Sequence, residues 1–149
     1  MGDESRDGVV VLEGESRSGL LWAVSVDHHD RHLIVMLNVF RGDRRLSSSG
    51  FDGSVSSSGT VLEQWWGRTD DLPYFVMART AGTMTRVVAT TSHGTDIELK
   101  LSAFIPEYGS RFAAVDLPDG EFPSTIRAER EGTVIATARQ HVAAPRNDA

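Results

Sequence analysis

The chain has 149 residues, a mass of 16.3 kDa, no cysteine and a formal net charge of −6. A chain of this size buries roughly two thirds of the surface it exposes when unfolded, so one packed core suffices without disulfides, and thiol catalysis and Cys-ligated zinc are excluded. The acidic balance disfavours a broad nucleic-acid-binding surface, and the apolar run at 33–37 is far short of the roughly 20 residues of a membrane helix.

The opening, MGDESRDG, is acidic and lacks the hydrophobic segment of a secretory signal, so a cytoplasmic location is expected, or a secreted one if a leader has been removed. Residues 1–7 and 142–149 are expected to be flexible ends around a single domain at 8–141, because their polar composition does not repay the entropy of ordering. A short β-rich run at 9–12 comes first. In 20–26, Leu20, Trp22, Val24 and Val26 share one parity, the period-two signal of a strand with one buried face. The turn signal Asp27-His28-His29-Asp30 leads into 32–40, which is apolar on both parities and reads as a central strand covered on both faces.

After Gly42-Asp43, a serine- and glycine-rich stretch carries SSSG twice, at 47–50 and 56–59, and predicts a long flexible connection or a weak edge hairpin. Thr60 followed by Glu63, with Gly67 beyond, suggests a short helix near 61–66 or an irregular crossover. Strands follow at 74–80, 84–91, 95–105, 111–117, 125–130 and 133–139, separated by turns such as His93-Gly94, Asp119-Gly120 and Glu131-Gly132. About nine short strands at this spacing predict an all-β domain, a two-sheet antiparallel sandwich. Its expected core is Trp22, Val24, Leu33, Val35, Leu37, Val39, Val76, Val87, Ile97, Leu99, Leu101, Phe112, Ile126, Val134 and Ala136.

Two constellations offer chemistry. His28, His29, Asp30 and His32 combine imidazoles with a carboxylate, ordinary ligands of a transition metal, and His28 and His32 have the i, i+4 separation of a metalloprotease helix. The flanking runs are strands and the glutamate position is His29, so an exposed hairpin tip is the favoured reading over a metal-dependent hydrolase. Trp65, Trp66, Tyr74 and Phe75 form the densest aromatic group, whose rings, Trp65, Trp66 and Tyr74 above all, could stack on sugar faces, with Asp70 and Asp71 available for hydroxyl groups; core packing competes for the same rings. GxSxG and SxxK motifs, phosphate-cradling loops and other cofactor signatures are absent, so no cofactor is expected.

The last third, from 95 to 139, runs DIELKL, then YGSRFAAVDLP, then STIRAEREGTVIATA. It resembles the closing strands of immunoglobulin-like or fibronectin-type-III-like sandwiches, and the resemblance implies immunoglobulin-like topology, with Ile126, Ala128, Val134 and Ala136 facing the core. The cysteine pair of antibody-type domains is missing, and the resemblance carries over no functional residue. The expected function is a non-enzymatic binding or scaffolding module whose partner is a protein or a second copy in a homodimer. Carbohydrate binding through the aromatics and metal-dependent hydrolysis at the histidines are the alternatives, and neither nucleic acid nor membrane insertion is expected.

Overall fold

A computed structural model describes residues 8–54 and 61–139; within them the chain is all β, antiparallel, and without helix. In chain order the strands are β1 (Val9–Glu15), β2 (Leu21–His29), β3 (His32–Arg41), β4 (Arg44–Ser54), β5 (Leu62–Gly67), β6 (Phe75–Ala81), β7 (Arg86–Thr91), β8 (Asp96–Glu98), β9 (Lys100–Leu101), β10 (Ser110–Asp116), β11 (Pro123–Arg130) and β12 (Thr133–Arg139). They form three four-stranded sheets, ordered β1-β2-β3-β4, β5-β6-β10-β9 and β12-β11-β7-β8, in place of the two sheets expected. The expected flexible ends and residues 55–60 of the Ser/Gly stretch lie outside the described residues.

The strand β6 decides how the sheets stack. On one side Phe75 and Met77 join a core with Trp22, Val24, Leu33, Val35 and Leu37 of the first sheet; on the other, Val76 and Ala78 join a core with Val87, Ala89 and Ile126 of the third. Neighbouring β10 divides in the same way, Ala114 and Phe112 to the first core and Ala113 to the second. The second sheet is therefore the middle of three layers, and small alanines on its strands let two sheets approach it. Sequence had assigned two-sided coverage to β3. There Leu33, Val35, Leu37 and Val39 are buried, whereas Ile34, Met36, Asn38 and Phe40 are only half-buried on the outer side.

Several expectations change for tertiary reasons. The helix expected near 61–66 is β5, paired with β6 from Leu62↔Thr80 to Gly67↔Phe75. Successive side chains of a strand point oppositely, so Trp65 packs on the first core and Trp66 on the second, a division one helical turn could not make. Of the two readings of the Ser/Gly stretch, the edge hairpin holds for its first half, which lies in the edge strand β4, paired with β3 from Arg41↔Arg44 to His32↔Ser54. Ser47, Ser49 and Trp65 line one cavity of about 10 Å³, so the small side chains leave room for the indole. Gly50 is needed because a Cβ there would lie 1.9 Å from the Val35 carbonyl oxygen.

The strand expected at 95–105 divides at Leu99: β8 pairs with β7 in the third sheet and β9 with β10 in the second. Leu99 is buried where the chain crosses between layers, its N–H donating to the Val87 carbonyl at 2.9 Å, and Ile97 and Leu101 are only partly buried. The β11–β12 hairpin does turn at Glu131-Gly132, where both residues have positive φ (51° and 85°) as a two-residue type I′ turn requires. A bulge beyond Ala128 brings Val134 opposite Glu129, and Val134 is 49% exposed instead of in the core.

Candidate functional site

The histidine cluster sits at the β2–β3 hairpin tip, where Asp30 takes a positive φ of 54°. Strand alternation separates its members. His29 and His32 are cross-strand partners on the outer face, whereas His28 follows Trp22, Val24 and Val26 inward and meets the Tyr108 ring edge-on at 6.4 Å. His28 Nε2 donates to the Asp30 carbonyl at 2.7 Å, and His29 Nε2 donates to Asp27 Oδ2 at 2.9 Å. The i, i+4 spacing that stacks two rings on a helix thus puts His28 and His32 on opposite faces of a hairpin. Among the described residues no group of three or more His, Asp or Glu side chains is placed to hold a metal ion.

The aromatic group is also divided. Trp65 lies under the first sheet, and Trp66 meets Tyr74 at 5.6 Å and Phe122 at 6.5 Å on the side of the third. The guanidinium of Arg68 lies 4.7 Å from the centre of the Tyr74 ring. Phe122, remote in sequence, gave no signal of its membership. Asp70 and Asp71 are elsewhere, lining a polar cleft of about 300 Å³ with Arg41, Arg44 and Arg45 of the β3–β4 hairpin. A hydroxyl–carboxylate–imidazole string does occur at Thr91, Glu121 and His93, but in the wrong order for nucleophile activation. Thr91 Oγ1 meets the carboxylate directly at 2.5 Å and also accepts the N–H groups of His93 and Thr95, clasping the β7–β8 turn.

The two outer faces of the stack differ most. On the third sheet Arg86 pairs with Glu98 and Glu129 (both 3.3 Å), while Arg127 pairs with Asp96 (3.1 Å) and Glu129 (2.9 Å). Hydrogen bonds from Thr90 and Arg127 hold the Asp96 carboxyl below its usual range, and Arg127 does the same for Glu129. Val88, in the same register as Arg127 and Glu98, is fully buried, so this face is roofed by its own charged side chains.

The outer face of the first sheet has no such roof. Its register makes rows across all four strands: Glu15, Leu21, Phe40 and Arg45; then Glu13, Ala23, Asn38 and Ser48; then Val10, Ser25, Met36 and Gly50. Val10 is 51% and Leu21 47% exposed, and Ile34, Met36 and Phe40 are half-buried between them. Ser48 donates to Asn38 Oδ1 at 2.7 Å, a polar rung through the apolar surface. Among the described residues the ion pair on this face is His29–Asp27, at the hairpin tip. Sequence did mark the apolar outer parity of β3, but assigned it to the interior. Comparison with known protein families, with curated proteins and with solved structures finds no match to this chain.

Proposed function

We propose that this protein is a non-enzymatic binding module that recognises a protein partner through the outer face of its first sheet. The contrast between the two outer faces carries the reading: one covers Val88 with paired charges and leaves only Val134 exposed at its β12 edge among the described residues, and the other exposes Val10 and Leu21 with the half-buried Ile34, Met36 and Phe40 between them. Contiguous apolar surface of this kind on a folded protein marks an interaction site. Immunoglobulin-like modules, which recognise partners by sheet faces, edges and loops instead of pockets, support the reading by analogy. Its test is photo-crosslinking with a reactive amino acid placed at Met36 or, as control, at Arg127, followed by mass-spectrometric identification. Protein adducts from position 36 and not from 127 are expected. Adducts from 127 alone, or from neither position, overturn the reading.

A second reading keeps carbohydrate as the ligand and rests on Trp66, Tyr74 and Phe122, whose rings are half-buried and in mutual contact. Retention on insoluble polysaccharides that is lost in Tyr74→Ala and Phe122→Ala supports it; no retention of the wild-type protein removes it.

A further inference from the structure

We infer that the occupant of the first sheet's outer face is a second copy of this chain, packed face to face about a twofold axis parallel to the strands. This rests on the reading of that face as the contact surface and names the partner. Three observations point to a copy of itself.

The first is charge. A twofold axis parallel to the strands, lying between β2 and β3, sets β1 of one copy over β4 of the other and β2 over β3. In the row Glu15, Leu21, Phe40, Arg45, the acid is at the β1 edge and the base at the β4 edge. Glu15 of each copy therefore faces Arg45 of the other, twice by symmetry, and Leu21 faces Phe40. Glu15 and Arg45 are both exposed and neither forms an ion pair within its own chain among the described residues; Asp70 and Asp71, which share a cleft with Arg45, lie beyond ion-pair distance of it.

The second is shape. Two rows away, the same axis places Val10 over Gly50 and Met36 over Ser25, a large side chain against a small one on both strand pairs. Aligned sheets pack in this way, interdigitating across about 10 Å. The third is area. Four strands about 4.8 Å apart and about nine residues long give a face of about 600 Å² in plan, of the same order as the ~800 Å² that each partner of a standard interface buries. Such a copy supplies the second cover that β3's two apolar parities call for, and adds a fourth sheet to the three of one chain.

The experiment is analytical ultracentrifugation of the full chain from about 1 to about 100 µM, where weak to moderate dimers are half-formed. Wild-type protein is expected at twice its 16.3 kDa mass in the upper part of the range. Phe40→Asp is expected to be monomeric, with an unchanged far-UV circular dichroism spectrum showing that it still folds. Glu15→Arg alone and Arg45→Glu alone each place like charges face to face twice and weaken the dimer about tenfold or more. An equimolar mixture of these two variants restores association, because the mixed pair has both contacts attractive again. A monomer across the whole range overturns the inference, as does a dimer indifferent to Phe40→Asp and the charge reversals. If the protein is monomeric while position 36 crosslinks to a different protein, the inference falls and the binding reading stands; if both measurements are negative, the reading falls as well.

Discussion

Arg79 is the largest fully buried side chain among the described residues, at 1% exposure on the middle sheet. Its Nε donates to Ser110 Oγ at 2.8 Å, one terminal nitrogen donates to the Tyr108 carbonyl at 3.2 Å, and the other lies 3.6 Å from Glu63 Oε1. Burial lowers its pKa and Glu63 only partly offsets this; the guanidinium, a cation in proteins generally, is held by directional contacts. Truncating one member of such a cluster strands the others, so Arg79→Met is expected to cost about 3 kcal/mol in urea unfolding. Glu63→Gln is expected to cost less, since Glu63 is 28% exposed and keeps contact with water. A loss for Arg79→Met within about 0.5 kcal/mol, the range of an ordinary surface substitution, contradicts this account. In the sequence Arg79 shares its parity with Phe75 and Met77, and nothing local separates it from an arginine at an exposed strand end.

At the scale of elements, the outer face of the third sheet behaves as one electrostatic unit. The folded-state pKa values of Asp96 and Glu129 lie below their ordinary values of 3.8 and 4.5. The stability they contribute is fully present above about pH 4.5 and is lost as pH falls through the depressed values. Arg127 holds both acids, by way of Asp96 Oδ2 and Glu129 Oε2. Arg127→Gln is therefore expected to flatten the dependence of unfolding free energy on pH below that window while changing its slope little near neutrality. An acid limb as steep as wild type in the variant refutes the assignment. The strands of this sheet were legible because their apolar residues alternate, and the hairpin at Glu131-Gly132 because a glycine between two β-rich runs takes the positive φ that a tight turn requires. The split at Leu99 was not legible: Ile97, Leu99 and Leu101 alternate without interruption, and the change of sheet shows only in where their hydrogen bonds go. β5 misled for a related reason, since a capping pattern is a local preference of a few tenths to about 2 kcal/mol, less than two tryptophans gain by packing in separate cores.

At the scale of the molecule, the middle sheet couples everything. Both cores draw on β6 and β10, so neither outer sheet can lose its packing without uncovering one face of the same two strands. Arg17 adds a tie, its side chain pairing with Asp116 at 3.1 Å and joining the β1–β2 loop to the end of β10. Unfolding is expected as a single transition, seen alike by tryptophan fluorescence and far-UV circular dichroism. Leu37→Ala in the first core and Ile126→Ala in the second are each expected to lower the same midpoint, at a cost of about 2 to 5 kcal/mol. Two resolved transitions, each sensitive to one substitution, would show instead that the layers fold independently.

The sequence by itself determined that this chain is all β, where most of its strands and turns fall, and which parity of 20–26 packs inward. Those properties follow from a period of two and from turn chemistry, both local to a few residues. Only the tertiary structure decided that there are three layers, that β6 and not β3 lies between two of them, and that the histidines and tryptophans are parted to opposite faces. Coverage depends on which sheet arrives from elsewhere in the chain, and β3 and β6 present apolar residues on both parities alike. The apolar outer face left on β3 is where the chain's own layers end, and where the proposed partner packs.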